Sequence, residues 1–511
     1  MTTSKDVSED VLSTLFQFIP SSHKQKVITS SSLYPNIELL SGTFDLDNNV
    51  VCNSFTENNF KILIRNPNLD RQKLFKCVVY RGLDKYVKVL LEDNRKGKMI
   101  YPSANYNEAI KLASENGYLE IVKLLLEIGP TDRFPNRHRV DPSDNYNAAI
   151  KLASENGHAS VVKLLLKDTR VDPSASNNYA IIYASREGHT SVVKLLLKAP
   201  GVDPSVDYNA PIRWASNNGH FEIIKLLFKD PRVDPSAQNN ESIIAVSING
   251  HLKILKLLLG DSRINPSDMD NKAIISASAN GHTKIVKLLL KINHTFPKRK
   301  RVNPSIKHNQ VIRWASKNGH TSVVKLLLED KRVNPSDKNN EAIILASTNG
   351  HSEIVKLLLN DKRVNPSDKF NKAIKLASEN GNTSVVKLLL DDKRVVSYLW
   401  HNEVIMIALK YGHLDIVKLL LNVPKIDPSN GNNEIIRFAA ENGYFEIVKL
   451  LLKDSRVNPA AWNNEAVKLA SKNGHTSVVK VLITHSNIKY PKVPDLEVLK
   501  IILKSISDKP K

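Results

Sequence analysis

Apolar residues recur along this chain in a two-part beat. In the copy NKAIKLASENG (371–381), Ala373, Ile374, Leu376 and Ala377 fall at helical spacing. The run NTSVVKLLL that follows (382–390) supplies a second apolar helix of about two turns. The polar stretch between copies, as in NDKRVNPSDKFN (360–371), holds a proline that fixes φ and cannot continue a helix, so a turn is expected at Pro366. The order is therefore helix, glycine, helix, polar turn, and it repeats.

The glycine sets the phase. It stands at Gly82, Gly117, Gly157, Gly188, Gly219, Gly250, Gly281, Gly319, Gly350, Gly381, Gly412, Gly443 and Gly474. Nine of the twelve spacings are 31 residues, and the others are 35, 40 and 38. A fixed period of this length predicts an all-α solenoid, which grows by stacking units rather than by enlarging one core. The array covers residues 71–484 as about 13 helix-turn-helix units with short projecting finger turns. The first unit is degenerate, as a terminal unit meeting solvent should be. Residues 1–70 lack the repeat; Val11, Leu12, Leu15, Phe16 and Ile19 predict a short helix ended by Pro20. Residues 485–511 predict a C-terminal capping helix in PDLEVLKIILKSI and a polar tail.

Ten residues before the marker glycine stands an asparagine, in all twelve units after the first. It immediately precedes the first apolar helix, and its side-chain oxygen suits a free backbone N–H there. Asn147, Asn178, Asn209, Asn240, Asn340, Asn371 and their equivalents are therefore expected to be structural N-caps.

The pattern A-I-x-x-A-S-x-x-G-H-x-x-V-V-K-L-L-L resembles the ankyrin repeat, whose core reads TPLHxAAxxGHxxVVxLLL. The NPSD and NNEAI phrases, copied closely from unit to unit, are similar to ankyrin arrays of giant DNA viruses of amoebae. The resemblance implies antiparallel helix pairs, turns projecting at right angles, and an inner groove that binds proteins without catalysis. Two departures stand out. The unit has 31 residues rather than about 33, and the Thr and His of TPLH are replaced, by Glu341 and Ile344 in one copy and Lys372 and Lys375 in another. The Thr–His bond of the family is then missing, and the asparagine is expected to take its role.

Composition changes this picture little. The chain has 511 residues and a net charge of +21, a field that favours acidic partners, nucleic acid or simply solubility. Cys52 and Cys77 make no disulfide framework, which points to a reducing compartment. No apolar run approaches the roughly 18 residues a membrane span needs, and the N-terminus carries no secretory pattern. A cytoplasmic monomer is expected. Nuclear import is an alternative on the run Lys298, Arg299, Lys300, Arg301, in an insertion that resembles the one beginning at Phe134.

Candidate chemistry is sparse. The Gly-His histidines, His158 to His475, recur one unit apart, roughly 10 Å for packed helices, and metal ligands must converge more closely than that. There is no Gly-rich phosphate loop, no zinc spacing and no nucleophile elbow. No catalytic residue, cofactor or metal is predicted, and the chain is not expected to be an enzyme. A lysine column from Lys88 to Lys480 sits between VV and LLL, on the polar side of the second helices. It reads as a solvated face, or as a track for an acidic partner or nucleic acid. No aromatic residues are interleaved with it, which disfavours nucleic acid.

Specificity should lie where the copies differ. The residue before the asparagine alternates Tyr with Asn, Asp and His, which a core position would not do. Tyr146, Tyr208, Phe370 and, one residue earlier, Trp462 are thus expected at exposed fingertips. One finger reads Val396, Ser397, Tyr398, Leu399, Trp400 where others read NPSD; Tyr398, Leu399 and Trp400 form a candidate apolar hot spot. The expected function is a protein-interaction scaffold for host or viral partners. The alternative is a ubiquitin-ligase adaptor, because DVLSTLFQFIPSSHKQKV (10–27) looks like the opening of an F-box without its leading Leu-Pro.

Overall fold

A computed structural model describes residues 60, 64, 70–93, 100–128, 139–292, 296–396 and 402–485. Outside these residues lie the F-box-like stretch, Cys52, the start of the insertion at Phe134, the hot spot Tyr398–Trp400 and the C-terminal cap. Among the described residues there are 27 α-helices and no strand. None of these helices is long and apolar enough to cross a membrane. The chain divides into two compact units: residues 1–246 with 256–264, and 247–255 with 265–511. Within each unit the helices come in pairs, and each pair packs on the next.

The repeat Asp368–Glu379 and Thr383–Leu390 explains why the pairs must stack. Helices of 12 and 8 residues are marginal alone in water, because the nucleation cost is spread over few hydrogen bonds. Stability comes from burial. Ala373, Ile374 and Ala377 of the first helix and Val385, Val386 and Leu389 of the second are all fully buried. Each larger side chain among them contributes about 1.5–3 kcal/mol. Ala377 and Ser378 are small enough to let neighbouring helices approach closely, and Ser378 is buried as well.

The first helix ends where the sequence places its glycine. Gly157 has φ +80°, a left-handed conformation that side chains disfavour. A Cβ there would also meet the ring of His189 in the next repeat, at 2.5 Å from Nδ1. The histidine covers its neighbour's glycine and bonds back to it: His189 Nε2–H donates to the Glu155 carbonyl at 2.8 Å. His158, His220, His282, His320, His351, His413 and His475 make the same bond to carbonyls of their preceding repeats. In one repeat Asn382 stands in, donating to the Ser347 and Thr348 carbonyls. The histidines are inter-repeat latches, and each captures an unsatisfied helix-terminal carbonyl.

Except for Asn402, which stands at the N-cap of Glu403–Lys410, the asparagines do not stand at the N-cap of their own helix. Asn147 has φ +59°, the last of three left-handed residues (Asn145, Tyr146, Asn147) that precede the right-handed helix. An N-cap needs extended backbone and a side chain folded onto the next turn. Here the side chain reaches the following repeat instead. Asn147 Oδ1 accepts the Asp172 N–H at 2.8 Å, Asn178 that of Asp203, Asn209 that of Asp234 and Asn340 that of Asn365. Asn240 and Asn371 share the left-handed backbone and are buried, so they are not N-caps of that kind either. Each left-handed residue other than glycine costs about 1–2 kcal/mol. Asn, Asp and His tolerate it best, which is why they fill so many of these positions.

The finger itself is an Asx turn. Asp172 Oδ1 accepts both the N–H and the hydroxyl of Ser174, at 2.8 and 2.6 Å, and Asn365 does the same for Ser367. The [Asp/Asn]-Pro-Ser phrase thus closes the turn through its first side chain as well as through proline.

Candidate functional site

The left-handed triplet explains the fingertips. It turns its first two side chains away from the core while the asparagine stays buried. Phe370 is 89% exposed and Tyr146 78%, and Tyr208 and Trp462 are exposed too. Tyr106, equivalent to Tyr146, is also exposed. The Trp462 ring is partly held, with the Arg437 guanidinium 4.6 Å from its centroid. Tyr146 and Tyr208 belong to the first unit, Phe370 and Trp462 to the second.

A second row of candidate contacts lies on the first helices, five residues after the asparagine. In the first unit this register reads Leu112, Leu152, Tyr183, Trp214 and Ala245. In the second it includes Trp314, Leu345, Leu376 and Phe438. The leucines are half-buried, so the register is not the core position that helical spacing suggests for Leu376. Trp214 and Trp314 extend into solvent, 42% and 37% exposed. Periodicity alone hid these residues, since an apolar side chain at that register looks like core. The available signal was their size where other copies carry Leu, Ala or Ser.

Around Tyr183 the first unit builds an ordered cluster. Tyr179 and Tyr183 stack with ring centroids 3.9 Å apart. The Tyr179 hydroxyl donates to Glu155 Oε2 at 2.7 Å, and the Arg186 guanidinium lies over Tyr183 at 4.2 Å. Burial, then the Glu155 carboxylate, pushes the Tyr179 hydroxyl above the usual tyrosine range. It stays a neutral donor, and the cluster presents a rigid aromatic face rather than a reactive group.

Basic residues between repeats are largely engaged. Arg332 forms two parallel bonds to Asp330 and donates through Nη1 to the Val302 carbonyl of the preceding repeat. Arg170, Arg232, Arg263, Arg363, Arg394 and Arg456 repeat the arrangement. These guanidiniums, through their hydrogen bonds, hold Asp168, Asp230, Asp330, Asp361, Asp392 and Asp454 below the usual carboxylate range, although burial opposes the shift. The recurring Asp-x-Arg-Val was the legible sign of this latch. Arg213, Arg313 and Arg437 instead bridge neighbouring first helices to Glu241, Glu341 and Glu465.

The lysine column lies on the outward face of the second helices, and Lys194, Lys325, Lys356 and Lys387 are exposed. Some members pair locally, as Lys123 does with Glu120 at 2.6 Å and Lys418 with Asp415 at 3.3 Å. The basic insertion forms a short 3-10 turn over Lys298–Lys300, with Lys298 and Arg301 exposed. Among the described residues no group of His, Cys, Asp or Glu converges to hold a metal.

Comparison with known proteins agrees with this geometry. The family model for "Ankyrin repeats (3 copies)" matches residues 110–208, 212–301, 275–370, 312–399, 374–462 and 405–493. No curated protein matches the chain. The matched stretches take in well over half of the sequence, and most of the helix pairs and left-handed glycines fall inside them: the chain belongs to the ankyrin repeat family.

Proposed function

We propose that the chain is a non-catalytic scaffold that binds protein partners through its fingertips and first-helix faces. Ankyrin repeats are generally protein–protein interaction modules. One observation carries the reading for this chain: aromatic side chains stand at two surface registers, one polar in most other copies and the other filled by leucine in many. Exposed Tyr146 and Tyr208 occupy the first, and exposed Trp214 with half-buried Tyr183 the second. Aromatic anchors on a rigid frame bind with little ordering cost. The test is affinity capture with the full chain, comparing Tyr183→Ala with Trp214→Ala, Tyr146→Ala with Tyr208→Ala, and lysine-to-glutamine changes on the second helices. Loss of partners with the aromatic pairs alone supports the reading; unchanged capture with both aromatic pairs rejects it.

Capture of host or viral proteins, and a ubiquitin-ligase adaptor role for residues 1–70, rest on sequence resemblance alone. Pulldown of the Skp1-type linker by the full chain, and its loss on removal of residues 1–70, would favour the adaptor role.

A further inference from the structure

The fingers of the two units differ in charge. At the first left-handed position the first unit carries Asn105, Asn145, Ser176, Asp207 and Gln238. The second carries Lys307, Lys338 and Lys369 in three successive repeats. All three are exposed. Their φ and ψ values nearly coincide (49°/47°, 51°/44° and 49°/48°), so their Cα–Cβ bonds leave equivalent backbones alike. Asn309 Oδ1 to Asn334 N–H and Asn340 Oδ1 to Asn365 N–H, each 2.7 Å, hold these fingers side by side. Packed helices are about 8–10 Å apart, which sets the spacing of the backbones that carry the three lysines.

Nearby carboxylates are mostly occupied. Asp337 accepts the Lys338 N–H and the Asn309 amide, and Asp368 accepts the Lys369 N–H and the Asn340 amide. Lys307 shares Asp270 at 3.2 Å. No carboxylate among the described residues pairs with the ammonium groups of Lys338 or Lys369. Phe370 is exposed beside Lys369, and Lys317 lies 4.9 Å over the Trp314 ring on the helix that follows Lys307.

We propose that this ladder docks an extended acidic peptide segment with a carboxylate at every third residue. A polyproline-II segment advances about 3.1 Å per residue with three residues per turn, so every third side chain returns to the same face after about 9 Å and matches one repeat. A single exposed ion pair contributes little; three in register, with Phe370 against the intervening side chains, discriminate by spacing. Nucleic acid fits less well, because the residues next to the lysines are His308, Asn339 and Phe370 rather than a row of stacking aromatics. The inference rests on the reading that the fingers bind protein, and it names the chemistry of one partner class.

The test uses the full chain and fluorescein-labelled peptides at low salt. One peptide is (Glu-Gly-Ser)5; its isomer gathers the same five glutamates in one block. The regular peptide should bind about fivefold or more tightly than the isomer, and K307Q/K338Q/K369Q should weaken it about tenfold or more. K325Q/K356Q/K387Q, on second helices, should leave it within about twofold. Circular dichroism checks that both variants fold. Equal affinity for the two isomers, equal loss in both variants, or tighter binding of oligo(dT) through the same lysines would overturn the proposal. Partner capture that depends on the first-unit aromatics, with no peptide preference at the ladder, would sink the ladder and leave the scaffold standing.

Discussion

Asn340 shows how much one side chain does in this protein. It holds a left-handed backbone, accepts the Asn365 N–H and donates to Asp368 Oδ2 at 2.8 Å. Asn340→Ala leaves a part-buried N–H without its acceptor and puts alanine in a conformation it disfavours, so a loss of about 2–4 kcal/mol is expected. Urea unfolding followed by circular dichroism measures it; a loss below about 0.5 kcal/mol would mean the bond matters little. The buried serines behave oppositely. Ser347 is fully buried and its hydroxyl makes no hydrogen bond among the described residues. Ala440 occupies the same register in another repeat. Ser347→Ala should therefore be neutral or stabilising by up to about 1 kcal/mol, because it removes an unsatisfied polar group without changing shape. A clear fall in the urea midpoint would count against this.

At the scale of the helix pair, the glycine and the histidine behind it form one device. Gly319 has φ +81°, and an added Cβ would sit 2.8 Å from His351 Cε1. Gly319→Ala should cost about 2–4 kcal/mol, part from the left-handed backbone and part from the clash. His351→Ala alone loses the bond to the Lys317 carbonyl. In the double variant the clash disappears, so the two losses should add to less than their sum; strict additivity would show that ring and glycine do not press on each other. This pairing also marks what could be read beforehand. The helix pair was legible because Val385, Val386 and Leu389 repeat a helical apolar spacing, and the glycine because it ends each first run. The partner of Asn147 was not, since the bond crosses to Asp172, 25 residues on, and local spacing carries no trace of it. The fingertips Tyr146 and Phe370 were legible from variation between copies. Trp214 was not, because its register is apolar in most copies and exposure depends on how far the side chain extends.

At the scale of the molecule, the Asp–Arg latches sum into a pH dependence. Asp330 and Asp361 titrate below the ordinary aspartate value of 3.8, chiefly through hydrogen bonds from Arg332 and Arg363. A depressed carboxylate contributes stability that is present above its unfolded value and lost as pH falls through its folded value. The urea midpoint should hold from neutral pH to about 5 and fall below about 4. Asp361→Asn should start lower at neutral pH and lose less on acidification; an unchanged acid loss would assign the effect to other groups.

The reach of these polar bonds has a consequence for descent. Asparagine to finger spans 25 residues, arginine to glutamate 28, arginine to carbonyl 30 and most histidine latches 34. Each tie thus joins only neighbouring repeats. Excising residues 304–334, one 31-residue period inside the second unit, brings Asn303 against Pro335 and offers the severed asparagine, histidine and arginine-to-carbonyl ties equivalent partners, while Glu341 exchanges Arg313 for Ile275. The shortened chain should keep its helical signal per residue and its cooperative unfolding, and collapse to an unfolded spectrum would refute this. Recombination between copies of the gene then yields folded proteins of different length in a single event. Repeat number can drift under selection for what the surface meets, with folding largely indifferent to the count.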